Sequence, residues 1–136
     1  KKLWREADHM GKARILIAED EQNIVESLSF ILNRAGFDVD TATDGTEALD
    51  RVRRLPFSAL VLDIMLPGMN GFDVLRAIRS DQNLAALPVI VLTAKGQAGD
   101  RRMAEAIGAS AFITKPFSNA EVVAHVSRLA GGVAGR

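Results

Sequence analysis

The sequence predicts an α/β domain: a (βα)5 doubly wound sheet of five parallel strands in the order 2-1-3-4-5. Three observations predict it. Five short apolar runs recur along the chain, mostly continuous rather than alternating, as strands buried on both faces require. A stretch with apolar residues at helical spacing follows each run. Strict strand–helix alternation forces a parallel sheet covered by helices on both faces. Five units are too few for an eightfold barrel, so the open doubly wound sheet remains.

The elements follow in order. Ile15-Leu16-Ile17-Ala18 is the first strand. Ile24, Leu28, Ile31, Leu32 and Ala35 then fall on one stripe, and Gly36 is a stop signal for that helix. Val39 with Thr41 marks the second strand, and Ala48, Leu49 and Val52 mark a shorter helix. Ala59-Leu60-Val61-Leu62 is the third strand, followed by a helix carrying Phe72, Val74, Leu75 and Ile78. Val89-Ile90-Val91-Leu92 is the fourth, and Met103, Ala106 and Ile107 mark its helix, closed by Gly108. Ala111-Phe112-Ile113 is the fifth. The last helix opens on Ser118-Asn119-Ala120-Glu121, a capping-box pattern, and carries Val122, Val126 and Leu129. The domain is expected over residues 13–130. Residues 1–12, charged and with weak apolar order, are expected to be a disordered extension or a tag. The glycine-rich residues 131–136 are expected to fray.

Composition narrows the function. The 17 basic and 17 acidic side chains balance, which argues against direct nucleic-acid binding and against a polybasic membrane surface. The absence of cysteine excludes disulfides, zinc–thiolate sites and thiol nucleophiles. No apolar run approaches the ~20 residues of a membrane span, and no signal-peptide pattern appears. A cytoplasmic protein is expected.

In a doubly wound sheet, ligands bind outside the carboxyl ends of the strands. The first strand runs into Glu19-Asp20-Glu21, the third into Asp63, the fourth into Thr93-Ala94 and the fifth into Thr114-Lys115-Pro116. Any one of these could be an ordinary cap or turn. Together they bring carboxylates, a hydroxyl and a lysine to one edge. Carboxylates that crowd together either raise a pKa or require a cation. An all-oxygen donor set without His or Cys favours a hard divalent ion, Mg2+. With the charge of Lys115 and the hydroxyl of Thr93, this describes a pocket for a phosphoryl group. A carboxylate can itself be the nucleophile and form an acyl phosphate. Asp63 is the best placed, at the end of the central strand and ahead of the turn Met65-Leu66-Pro67-Gly68-Met69-Asn70-Gly71.

These residues resemble a known family. Leu62-Asp63-Ile64-Met65-Leu66-Pro67-Gly68-Met69-Asn70-Gly71 resembles the phosphoacceptor segment of the receiver (CheY-like) domains of bacterial two-component response regulators. Ile15 to Glu21 resembles their acidic first strand end, Val91-Leu92-Thr93-Ala94 their switch hydroxyl, and Lys115-Pro116-Phe117 their lysine–proline step. The resemblance covers about residues 14–130.

It implies a flavodoxin-like, CheY-like fold and a phosphorylation-activated switch rather than a turnover enzyme. Asp63 would accept a phosphoryl group from a histidine kinase or a histidine phosphotransfer protein. Asp20 and Asp63 would bind Mg2+, Met65 through its backbone carbonyl, and Glu19 through water. Thr93 would hydrogen-bond the phosphoryl oxygen, Lys115 would pair with it, and Phe112 would turn inward on activation. Lys115-Pro116 would be a cis peptide. The α4-β5-α5 surface would then shift and be read by a downstream protein target or an effector domain. A phosphorylation-dependent homodimer stays open, as does whether the regulator stands alone or is part of a longer chain.

There are departures. Glu19 stands where the family most often has Asp, and Phe112 lacks the hydroxyl of a Tyr. The chain reads Gly108-Ala109-Ser110-Ala111 into the fifth strand, and at Ser110 and Ala111 the DNA-binding subfamily that dimerises through this face is commonly acidic, which puts that charged dimer in doubt. Arg101, Arg102 and Glu105 read as a solvated helix face. Met65 and Lys95 are candidates for tuning water access to the site. Among rivals, a haloacid dehalogenase-type phosphatase needs a second Asp where Met65 stands, and a flavodoxin-type carrier needs a phosphate loop where Glu19-Asp20-Glu21 would repel phosphate. An interaction module that works without phosphorylation stays open.

Overall fold

The structure, a computed structural model, describes residues 12–131. Apart from Lys12 and Gly131, the expected extension and tail lie outside the described residues. Five strands and five helices alternate: β1 (Arg14–Ala18), α1 (Gln22–Arg34), β2 (Asp38–Ala42), α2 (Gly45–Arg54), β3 (Ala59–Asp63), α3 (Gly71–Ser80), β4 (Val89–Ala94), α4 (Ala98–Ile107), β5 (Ala111–Lys115) and α5 (Asn119–Leu129). All four strand pairings are parallel, and the order is β2-β1-β3-β4-β5. The expected fold is the one observed.

The strand period of two sorts the core into two layers. Leu16, Leu60, Leu62, Val89 and Val91 face one side, where they meet Leu49 and Val52 of α2, Leu75 and Ile78 of α3, and Ala104 of α4. Ile15, Ile17, Val61, Ile90, Leu92 and Ile113 face the other, against Leu28 and Leu32 of α1 and Val122 and Val126 of α5. Each large aliphatic side chain buried this way stabilises the fold by about 1.5–3 kcal/mol relative to exposure. β3 lies at the centre with all five residues buried, the last being Asp63. β2 lies at an edge and carries Asp38 and Asp40, charges that discourage pairing with another chain.

Caps set three of the helix starts. Asp44 Oδ1 accepts from the Glu47 N–H at 2.7 Å, Asn70 Oδ1 from the Asp73 N–H at 3.0 Å, and Ser118 Oγ from the Glu121 N–H at 3.1 Å. α1 and α4 begin without a side-chain cap.

Two inward faces differ from the expected stripes. In α1, Val25 is buried and Ile24 only half-buried. In α4, only Ala104 is buried, while Met103 and Ala106 are exposed and Ile107 is half-buried. The C-terminal end of α4 is fixed from outside the helix: the Gly108 carbonyl accepts from Arg79 Nε at 2.8 Å. The residue that faces the sheet is the small Ala104. Ala, Ile and Met are all apolar, so the stripe alone could not choose between neighbouring faces.

Candidate functional site

The carboxyl ends of β1, β3, β4 and β5 open onto one cleft. Each delivers a side chain to it through a local backbone constraint. Past the end of β1, the Glu19 N–H bonds to the Ala42 carbonyl at 3.0 Å, extending the pairing with β2 by one residue. The Glu19 side chain is wholly buried, and its Oε2 accepts from the Glu21 N–H at 3.1 Å. Asp20, next in line, is exposed. Asp63 ends β3 at 5% exposure, and its Oδ1 accepts from the Met65 N–H at 3.1 Å. That bond and the bond from Gly71 N–H to the Ile64 carbonyl at 2.9 Å close the turn that follows. Thr93 on β4 is 5% exposed, and Lys115 on β5 reaches in from the far side.

One oxygen from each of Glu19, Asp20 and Asp63 lies within 4.8 Å of the others. Lys115 Nζ stands 3.1 Å from Glu19 Oε1, 3.6 Å from Asp63 Oδ2 and 3.9 Å from Glu21 Oε1. Lys115 is thus nearer to Glu19 than to Asp63. Glu19 Oε1 is buried, and its one close polar neighbour among the described residues is that ammonium, off the line of a well-directed hydrogen bond. Burial pushes the Glu19 carboxyl up to about 7, and the charge of Asp63 adds to the rise; the Glu21 N–H and Lys115 oppose it. Desolvation pulls the Lys115 ammonium down, but Asp63, Glu19 and Glu21 outweigh it and hold its pKa above the usual lysine value.

The arrangement fits a hard divalent cation. The donors are all oxygen, they converge, and one buried oxygen still lacks a directed partner. Three carboxylates facing one ammonium also leave negative charge that a dication would compensate.

Every residue assigned to the site from the sequence lies at this edge except Phe112, which sits lower on β5. Phe112 is paired in register with Val91 and packs with the layer of α2, α3 and α4. Met65 lines the cleft and is 74% exposed, whereas Lys95 is exposed and does not line it. Sequence reasoning left out Gln97 and Asp100, which line the cleft from the start of α4. Their position just after β4, at the ligand edge, was the available signal. Arg101 is exposed as expected of a solvated face, yet its guanidinium lies over the Phe112 ring, 4.6 Å from the centroid. Lys115-Pro116 is a cis peptide.

The five-stranded doubly wound sheet in this order, with an acidic cluster and a lysine at its carboxyl edge, is of the CheY-like class. Residues 15–127 match the family described as the response regulator receiver domain, and the chain belongs to that family. It is 42% identical over 115 residues to the DNA-binding response regulator MtrA of Mycolicibacterium paratuberculosis, covering 85% of this chain and 50% of the relative. It is 40% identical over 116 residues to the alkaline phosphatase synthesis transcriptional regulatory protein PhoP of Bacillus subtilis, covering 85% of this chain and 48% of the relative. The chain therefore spans about half the length of these curated relatives. Among solved structures, the receiver domain of the sensor histidine kinase PA1611 from Pseudomonas aeruginosa superposes with a TM-score of 0.82 at 30% identity, covering 89% of this chain and 99% of that one. That structure has a magnesium ion coordinated in its active-site cleft. Among the described residues, no helix is long and apolar enough to cross a membrane.

Proposed function

We propose that this receiver domain, assigned to residues 13–130, is switched by transfer of a phosphoryl group to Asp63 from a phosphohistidine on a histidine kinase or a histidine phosphotransfer protein. The carrying observation is the meeting of Glu19, Asp20 and Asp63 with Lys115 at one end of the sheet. No structural need explains three carboxylates and an ammonium gathered beside a buried strand end, whereas binding a dication and a phosphoryl group does.

Glu19, Asp20 and Asp63 would hold Mg2+, with the Met65 backbone carbonyl as a further oxygen. Bound there, Mg2+ would neutralise the charge of the phosphoryl oxygens. In the transfer, an Asp63 carboxylate oxygen attacks phosphorus in line, and an O–P bond forms. The P–N bond to the imidazole breaks, and the electron pair leaves with the ring nitrogen, which takes a proton from solvent. The Met65 N–H fixes the Asp63 carboxylate for that attack. Lys115, already facing both Asp63 and Glu19, pairs with the added charge. The Thr93 hydroxyl donates to a phosphoryl oxygen, and Phe112 turns into the space this leaves. The surface of α4, β5 and α5 changes with it, and a downstream protein target or an effector domain reads the change. A phosphorylation-dependent homodimer is one form that readout can take.

The chain turns over no external substrate in this reading. It acts in the cytoplasm through protein partners, with no direct contact to nucleic acid, in keeping with its balanced charge, and none to membrane. Incubation with Mg2+ and acetyl phosphate should give one phosphoryl adduct by intact mass, labile to hydroxylamine and absent in Asp63→Asn or in EDTA. A wild-type chain that gains no adduct while binding its partners would establish the phosphorylation-independent module instead.

A further inference from the structure

α4 is held unequally along its length. It buries one side chain, Ala104, where α1 buries four. Its N-terminal end has no side-chain cap, and a Cβ added at Gly96 or Gly99 would meet nothing within 4 Å. Its C-terminal end is pinned. The carbonyl of Gly108, a residue at φ +127°, accepts from Arg79 Nε at 2.8 Å, and the same guanidinium donates to the Leu87 carbonyl at 2.7 Å. The loose end lies beside Thr93, and Gln97 and Asp100 from it line the cleft.

Between the two ends stands Arg101. Among the described residues no carboxylate forms an ion pair with it; its contact is the face of Phe112, 4.6 Å from guanidinium carbon to ring centroid. The ring is half-buried on the sheet face that α4 covers. A cation over an aromatic face is attracted by the ring quadrupole, and the attraction is lost if the ring turns away.

We propose that Arg101 is a positioning residue that latches Phe112, and with it α4, in the resting state. The latch rests on the reading of Phe112 as the residue that turns inward. Turning the ring requires breaking the stack, so the contact weights the equilibrium against the switched form. A contact of this exposed kind shifts such an equilibrium about 2- to 5-fold. The Arg79 pin leaves the N-terminal end of α4 as the part that moves when the latch opens.

The test uses Mg2+ with beryllium fluoride as the phosphoryl analogue and protein labelled with 4-fluorophenylalanine, the Phe112 signal being assigned by its loss in Phe112→Leu. Arg101→Gln should bind the analogue about 2- to 5-fold more tightly than wild type, with Arg101→Lys between the two. In a Phe112→Leu background, Arg101→Gln should change nothing. If the wild-type Phe112 signal shifts on binding but Arg101→Gln leaves the affinity unchanged, or its effect persists without Phe112, the latch is refuted and the inward turn stands. If the wild-type signal does not shift at all, the inward turn fails and the latch fails with it.

Discussion

Two glycine-to-alanine substitutions at helix starts should act in opposite directions. Alanine in place of a helical glycine ordinarily gains about 0.5–1 kcal/mol, because the unfolded chain has less freedom to lose. At Gly99 in α4 a new Cβ would meet nothing within 4 Å, so that gain should appear in full. At Gly71, the first residue of α3, the new Cβ would lie 2.6 Å from both the Asp63 carbonyl oxygen and Ile64 Cα, and 3.1 Å from the Ile64 carbonyl oxygen. These are backbone atoms at the end of β3 and the start of the turn that follows it, and no side-chain rotation relieves the overlap. Overpacking costs about 1–3 kcal/mol; the upper half applies against backbone, so a net loss of about 1–2 kcal/mol remains after the helix gain. Urea unfolding with an m-value of about 2 kcal/mol/M would then show a midpoint about 0.5–1 M lower for Gly71→Ala and about 0.25–0.5 M higher for Gly99→Ala. Equal midpoints for Gly71→Ala and wild type would refute the close approach of α3 to the end of β3. A loss at Gly99 matching that at Gly71 would refute the open surroundings assigned to the start of α4.

The Glu19 carboxyl should leave a mark on stability against pH. With its folded pKa at about 7 against an ordinary 4.5, the folded protein binds more protons between those values, so metal-free stability should fall as pH rises from about 4.5 to 7. Lys115 stays charged throughout that window, its shift being upward, and does not contribute to the slope. Urea midpoints in EDTA should therefore decline over this range in wild type and less so in Glu19→Gln; parallel profiles would contradict the burial of that charge. Arg79 offers a second check. It donates to the carbonyls of Gly108, Leu87 and Ala85 and to Ser110 Oγ, a spread that only a planar fork can cover. Arg79→Lys should lose about 2 kcal/mol, since bonds from a charged donor count for about 1.5–3 kcal/mol and the outer two are exposed. A lysine variant as stable as wild type in urea would show that the guanidinium geometry is immaterial.

The parts legible in the sequence were those with a period or a charge pattern. Runs such as Leu60-Val61-Leu62 announce a strand buried on both faces, and the observed sheet order agrees with the topology derived from them. The convergence of Glu19, Asp20, Asp63 and Lys115 follows from the rule that strand carboxyl ends share an edge. What was not legible depends on partners without a sequence signature. Arg79 binds backbone carbonyls, which every residue has, so nothing in Ile78-Arg79-Ser80 marks it as a clamp. A stripe through Met103 and Ala106 could not foresee that Ala104 is the residue α4 buries. Arg101 looks like any solvated arginine until β5 brings Phe112 beneath it.

In the proposed switch, the buried strand end at residue 63 carries a transient acyl phosphate. Sodium borohydride reduces such a mixed anhydride to an alcohol with loss of phosphate, converting the aspartate that bears it into homoserine. Peptide mass spectrometry after treatment with Mg2+, acetyl phosphate and borohydride should find homoserine at position 63 and aspartate unchanged at positions 20 and 100. Homoserine at either of those positions with Asp63 intact, or none anywhere, would contradict Asp63 as the residue that carries the phosphoryl group.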